Sequence, residues 1–85
     1  HAEAEARIRT FGPSYQALHA ATLAREWHRR GCSAESARAA ELAERSLPLS
    51  DTWKTMRTCV TLAELQLLQR DEERAREWFR RVQDP

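Results

Sequence analysis

The sequence predicts an all-α fold in which antiparallel helix hairpins stack on one another. Glycine and proline are rare, with two and three among the 85 residues, so the composition suits helices joined by short turns. These breakers stand between segments of helical periodicity. No segment alternates apolar and polar residues as a strand does. Together, the start and stop signals predict about five helices.

The first predicted helix covers roughly residues 2–10, and Gly12-Pro13 ends it because proline cannot continue a helix. Ser14 is expected to cap the second helix, since its hydroxyl can accept a hydrogen bond from the first turn. That helix is expected to end at Gly31, because glycine readily adopts the left-handed conformation found just past a helix end.

Ser33 is expected to cap the third helix, which Pro48 ends. Ser50 or Asp51 is expected to cap a fourth helix that runs to about Gln69. Apolar residues of the fourth helix follow steps of three and four, which is one helical face. They are Trp53, Met56, Val60, Ala63 and Leu67.

Asp71 is expected to cap the fifth helix. Glu72 and Glu73 stand in its first turn and Arg80 and Arg81 in its last, and both placements complement the helix dipole. Because connections of two to four residues join the helices, sequence neighbours should pack antiparallel.

A repeated pattern of large and small residues runs through the predicted hairpins. In the first copy it comprises Leu23, Ala24, Trp27, Gly31, Ser36, Ala43 and Pro48, and in the second Leu62, Ala63, Ala75, Phe79 and Val82. Small residues let two helices approach closely: Ala20 and Ala24 are expected to face Ser36, Ala37 and Ala40.

This pattern resembles the tetratricopeptide repeat. The resemblance implies a right-handed superhelix of stacked hairpins, with residues 1–13 as the end of a preceding repeat, 14–49 as one repeat and 50–85 as a second, degenerate repeat. Three positions depart from the family pattern: Ala40 and Gln66 replace an aromatic residue and Arg70 replaces glycine. The copies are also 39 residues apart, from Ala24 to Ala63, rather than the roughly 34 of the family. The excess falls in residues 49–55, so the fourth helix is expected to begin a turn early. A generic helical bundle remains the alternative.

The resemblance implies a non-catalytic scaffold that binds a protein or peptide, as part of a larger bacterial transcriptional regulator. The alternative is an effector-sensing domain that binds a small molecule or signalling peptide and switches an attached DNA-binding module. No phosphate-binding glycine loop, nucleophile with a paired base or set of four metal ligands stands in the sequence. We therefore expect no enzymatic activity, cofactor or metal.

The charge is balanced, with 14 basic and 13 acidic residues, so the sequence predicts no direct binding of nucleic acid or membrane by this fragment. Two cysteines, Cys32 and Cys59, do not form a disulfide framework. A reduced, cytoplasmic location is the simpler interpretation, and Cys59 is expected to behave as a small buried hydrophobe.

Most arginines have a glutamate or aspartate three or four positions before them, which predicts solvated helix faces held by local ion pairs. Arg25, Arg57 and Arg70 lack such a partner. Glu26 is expected to pair with Arg30, four positions later, so Arg29 is also expected to be unpaired. In the register of the resemblance, the first helix of each hairpin lines a concave groove. Its inward positions are Leu18, Ala21, Arg25, His28 and Arg29, then Arg57, Val60, Glu64, Leu67 and Leu68.

These positions predict a groove for an acidic or carboxylate-terminal peptide, with an apolar anchor near Val60 and Leu67. The alternative is that the arginines simply face water.

Trp78 and Phe79 are adjacent, so one helix cannot direct both at the same layer. If Phe79 is in the core, Trp78 faces outward as an interface anchor, and a homodimer through that open end is a further expectation. The alternative is partial burial of Trp78 against Leu65 or Leu68.

Overall fold

The computed structural model describes residues 12–49 and 52–83, which form four α-helices. They are α1 (Pro13–Arg29), α2 (Ser33–Ser46), α3 (Thr52–Leu68) and α4 (Glu72–Gln83), with a 3-10 turn at Leu47–Leu49 after α2. The helices pack as two hairpins, α1 with α2 and α3 with α4, and α1 also packs on α3. The predicted helix over 2–10 and the predicted caps Ser50 and Asp51 lie outside the described residues.

The turn between α1 and α2 closes as a Schellman motif. The N–H of Cys32 donates to the carbonyl of Trp27 at 2.9 Å, and the N–H of Gly31 donates to that of His28 at 3.0 Å. Gly31 adopts φ +81°, the left-handed conformation that this motif requires. The predicted role of Gly31 is confirmed.

The turn between α3 and α4 has the same geometry without a glycine. The N–H of Asp71 donates to the carbonyl of Gln66 at 2.8 Å, and the N–H of Arg70 donates to that of Leu67 at 3.0 Å. Arg70 adopts φ +61°, a conformation that is unfavourable for residues with a Cβ. The second turn therefore keeps the motif at a conformational cost.

Two of the predicted caps are wrong. Gly12 is the N-cap of α1 and Pro13 its first residue, where the missing N–H of proline costs no helical hydrogen bond, so Ser14 is already inside the helix. Cys32 is the N-cap of α2, without a side-chain hydrogen bond, because the turn completes at Cys32 and Ser33 is already helical. The Asp71 cap is confirmed, since its Oδ1 accepts from the N–H of Arg74 at 3.2 Å.

The two hairpins repeat at a fixed interval of 39 residues. Pro13 and Thr52 begin α1 and α3, Arg29 and Leu68 end them, and each pair of bounds is 39 residues apart. Helix α3 starts at Thr52, ten residues before Leu62, and α1 starts at Pro13, ten residues before Leu23. The early start expected of α3 is therefore shared by α1.

The core consists of alanine-rich faces closed by a few large side chains. One cluster of buried residues draws on all four helices: Ala20, Ala21, Ala43, Cys59, Leu62, Ala63 and Trp78. A second cluster joins Ala24, Ala39 and Leu65. Ser36 is fully buried, and its Oγ donates to the carbonyl of Ala24 at 2.8 Å, which satisfies the hydroxyl inside the core. Ala37, expected at this contact, is exposed, and Ala39 takes its place.

The structure reverses the assignments of Trp78 and Phe79. Trp78 is 4% exposed and packs in the core, whereas Phe79 is 38% exposed. The buried positions of α4 are Ala75 and Trp78, with Val82 packed against the same core, which is one helical face. The guanidinium of Arg81 covers the Trp78 ring at 4.5 Å. Trp78 is therefore no exposed interface anchor.

The apolar stripe of α3 lies mostly on its exposed side. Trp53 is 57% exposed and Met56 39%, while the buried face of α3 includes Thr58 and Thr61. Each threonine hydroxyl donates to the carbonyl four residues earlier, at 2.6 and 3.0 Å, which satisfies it inside the core. None of the described helices is long and apolar enough to span a bilayer.

Candidate protein-binding surface

Two cross-helix contacts fix the register of α1 and α3. The Nη1 of Arg25 donates to the Oε2 of Glu64 at 2.7 Å. Near the other end of α1, the Nζ of Lys54 lies 3.7 Å from the centroid of the Tyr15 ring. Both contacts join residues 39 positions apart, so α1 and α3 run parallel with equivalent residues side by side.

Arg25 and Arg29 are not free, contrary to the prediction. The Arg25 side chain is 18% exposed and held by Glu64, and its Nε lies 3.9 Å from the Oε1 of Glu26. The Nη1 of Arg29 donates to the same Glu26 oxygen at 3.0 Å. The Arg25–Glu64 pair could not be found by counting along one helix, since it joins two helices.

The local ion pairs form only in part. Glu72 and Arg76 lie 3.8 Å apart, as the spacing predicts. Glu26, expected to pair with Arg30, instead binds Arg29. Arg74 reaches Glu44 on α2 at 3.3 Å.

The remaining groove positions are exposed or half-buried, apart from Ala21, which is fully buried. Leu18 and His28 on α1 and Val60 on α3 are half-buried. Arg57 is exposed and has no ion pair within the described part of the chain. The register places His28 and Arg29 beside Leu67 and Leu68.

Leu67 is 48% exposed and Leu68 is 45% exposed. We define the outer face as Leu18, Arg25, His28 and Arg29 on α1 with Trp53, Met56, Arg57, Val60, Glu64, Leu67 and Leu68 on α3. It combines uncovered apolar side chains with both signs of charge.

Lys54 marks a cluster that the sequence interpretation missed. The residue is 5% exposed, and its ammonium donates to the Oγ of Ser14 at 2.9 Å while facing the rings of Tyr15 and Trp53. The rings of Trp53 and Tyr15 pack edge to face, with their centroids 6.5 Å apart. One signal was available: Lys54 is the single lysine among 14 cationic residues.

A groove of about 280 Å³ lies between α2 and the turn that joins α3 to α4. Its lining is mainly polar and comprises Ala37, Ala40, Glu41, Glu44, Leu65, Gln66, Gln69, Asp71 and Arg74. It is separate from the outer face, and no predicted site residue lines it. Its size is at the lower limit for small-molecule sites, which are mostly apolar.

Within residues 12–49 and 52–83, no three histidine, cysteine or acidic side chains group together to hold a metal ion. The Cys59 thiol is buried as predicted, and this burial raises its pKa, an effect that the nearby charge of Arg81 opposes. A protonated thiol inside the core is inert.

Comparisons with models of protein families, with curated proteins and with solved structures find no match. The 39-residue repeat is therefore defined by the geometry of this chain itself.

Proposed function

We propose that the chain is a non-catalytic, tetratricopeptide-like repeat scaffold that binds a protein or peptide on its outer face. The observation that carries this proposal is the exposed apolar stripe of α3. Trp53, Met56 and Leu67 of this stripe are each 39% exposed or more. Uncovered apolar side chains that lie together and are bordered by charges are typical of protein interfaces.

The repeated geometry supports the scaffold part of the proposal. Both hairpins have equal first helices, the same turn motif and in-register contacts between α1 and α3. A solenoid is built by repeating such contacts, and its first helices then line one continuous surface. Further hairpins added at the same interval would extend it into a superhelix.

The charges of the outer face refine the expected partner. Because Glu64 and Glu26 hold Arg25 and Arg29, these arginines are less available to an acidic peptide. Arg57 is exposed and lies beside Val60, so one acidic group flanking an apolar segment fits this surface best. Such a scaffold would serve as the interaction module of a larger bacterial transcriptional regulator.

The second candidate is an effector-sensing domain that switches an attached DNA-binding module. The groove between α2 and the second turn favours it, because its polar lining carries the carboxylates of Glu41, Glu44 and Asp71 beside Arg74. Since Arg74 already binds Glu44, Glu41 is the carboxylate left to a small polar effector.

Selection of peptides from a random display library on the immobilised chain tests the proposal. Enriched peptides should bind the wild type but lose most binding to Leu67→Glu, which places a charge in the apolar stripe. Ala34→Glu is the matched control, since it adds the same charge at an exposed position of α2 and should bind normally. Failure to enrich any peptide, or equal loss with both variants, would overturn the proposal.

A further inference from the structure

We infer that the partner of the outer face is a second copy of this chain, with its α3 packed antiparallel to the first around a two-fold axis at Val60. This inference rests on the proposed function, since it names the protein that the outer face binds. It places the self-association surface on α3 rather than at Trp78.

Within the molecule a helix covers the equivalent face of α1, because α3 packs on it. That pair is parallel, so this contact shows that a helix fits the face, and the charges of α3 distinguish the orientation of a second copy. At the equivalent positions of α1, 39 residues earlier, Ala17 and Ala21 are fully buried, and Ala21 packs in one cluster with Cys59 and Leu62 of α3. The corresponding residues of α3, Met56 and Val60, are larger and are exposed or half-buried. The second hairpin thus presents, uncovered, the face that the first hairpin buries against a helix.

The stripe on α3 has the spacing of a helix–helix contact. Trp53, Met56, Val60 and Leu67 follow steps of three, four and seven on one side of α3, as apolar residues do where two helices pack along their length. Ala63, between Val60 and Leu67, is buried in the core of the chain itself. Trp53 and Leu67 each lie seven residues from Val60. An antiparallel second copy centred on Val60 therefore brings Trp53 of each chain against Leu67 of the other.

The charges beside the stripe complement each other in this arrangement. Arg57 follows Met56 and Glu64 follows Ala63, so both flank the stripe on the same side. The two-fold axis places Arg57 opposite position 63 of the second copy, one residue from Glu64 and within reach of its side chain, and the same contact occurs twice. Glu64 can accept hydrogen bonds from Arg25 of its own chain and from Arg57 of the second copy, because a carboxylate has two oxygens and Arg25 binds only Oε2.

A parallel pair does not satisfy these charges. In a parallel pair, the flank of α3 that carries Arg57 and Glu64 would face the opposite flank of α3 in the second copy. That flank carries Cys59 and Gln66, which are buried in the hairpin. The antiparallel arrangement is the one that pairs both charges.

Sedimentation equilibrium of the full 85-residue chain, over about two decades of concentration, tests the inference. The wild type should pass from monomer to dimer as its concentration rises. Val60→Glu should raise the dissociation constant by roughly tenfold or more, because two carboxylates would meet at the axis. Ala34→Glu, far from the stripe, should dissociate as the wild type does.

A charge exchange tests the orientation directly. Arg57→Glu, and separately the double variant Arg25→Glu with Glu64→Arg, should each be monomeric at concentrations where the wild type dimerises. The double variant keeps the ion pair between α1 and α3 in reverse, and circular dichroism checks that both variants fold. An equal mixture should recover the dimer, since opposite charges then meet at both flanks.

Each outcome decides the inference. A wild type that stays monomeric at every concentration overturns it, as does a dimer that Val60→Glu does not weaken or a mixture that does not associate. If the chain is monomeric while selected peptides still bind the Leu67 surface, the proposed function stands and the second copy is the wrong partner. If peptide selection fails as well, both are wrong.

Discussion

The two hairpins have the same backbone plan but different side chains. Only Thr22-Leu23-Ala24 and Thr61-Leu62-Ala63 repeat as an identical run at the 39-residue interval. Both threonines donate to the carbonyl four residues earlier, so this run carries the same side-chain to backbone hydrogen bond in each hairpin. The comparison teaches that a short run of small and back-bonded residues sets the packing, while neighbouring positions vary.

The variation follows what each hairpin must cover. Ala39 in the first hairpin becomes Trp78 in the second, and both are buried. Ala21 becomes Val60, and here the larger residue is less buried than the smaller one. The first hairpin is thus built of small residues that let a neighbour approach, and the second fills its core with one large side chain and leaves an apolar stripe outside.

Replacing Trp78 by alanine should have the largest effect on this comparison. The loss of a buried indole costs about 3–5 kcal/mol, a large fraction of the roughly 5–15 kcal/mol that stabilises a typical domain. Phe79→Ala, at the adjacent exposed position, should cost about 1 kcal/mol or less. Chemical denaturation of both variants measures the difference, and equal losses would contradict the assignment of Trp78 to the core.

The two cysteines should differ strongly in reactivity, because Cys59 belongs to the core and Cys32 to a turn. In the native chain a thiol reagent should label Cys59 roughly a hundredfold more slowly than Cys32, and denaturant should abolish the difference. Because burial raises the pKa of Cys59 above its ordinary value of 9.0, the contribution of its protonated form to stability is present at neutral pH. That contribution is lost as the pH rises above about 9. Equal native labelling rates would place Cys59 outside the core.

The two turns should respond in opposite directions to changes of the left-handed residue. Gly31→Ala introduces a Cβ at φ +81° and should destabilise the chain by about 1 kcal/mol. Arg70→Gly relieves the same conformation in the second turn and should stabilise it by a similar amount, about 1 kcal/mol. Thermal unfolding followed by circular dichroism gives both values. A loss of stability in Arg70→Gly would show that the arginine side chain contributes more than its backbone costs.

The smallest effect concerns the contact between the hairpins. A double-mutant cycle of Arg25→Ala and Glu64→Ala should give a coupling free energy of about 0.5–1 kcal/mol, since the glutamate is partly exposed. The coupling should weaken as salt is added. The Arg29 and Glu64 pair is a matched control, and its coupling should be near zero. A coupling that vanishes for Arg25 too would contradict the in-register contact of α1 and α3.

Local signals in the sequence determined much of the helical plan. Gly31 and Asp71 mark a helix end and a helix start because their effects are confined to one turn of backbone. The hairpins and the small residues between them were predictable for the same reason. Ser14 and Ser33 were misplaced by one or two residues, because proline and the Schellman motif fixed those helix starts instead.

Tertiary structure alone decided which faces are buried and which charges are paired. Trp78 and Phe79 are both large aromatic residues, so the sequence pattern does not distinguish them. The packing of α4 on the alanine-rich core buries Trp78 and leaves Phe79 exposed. Arg25 looked unpaired along α1, but the register with α3 supplies Glu64. Helical periodicity identifies a face of α3 without saying what covers it, since burial depends on residues that are distant in sequence and brought together only by the fold.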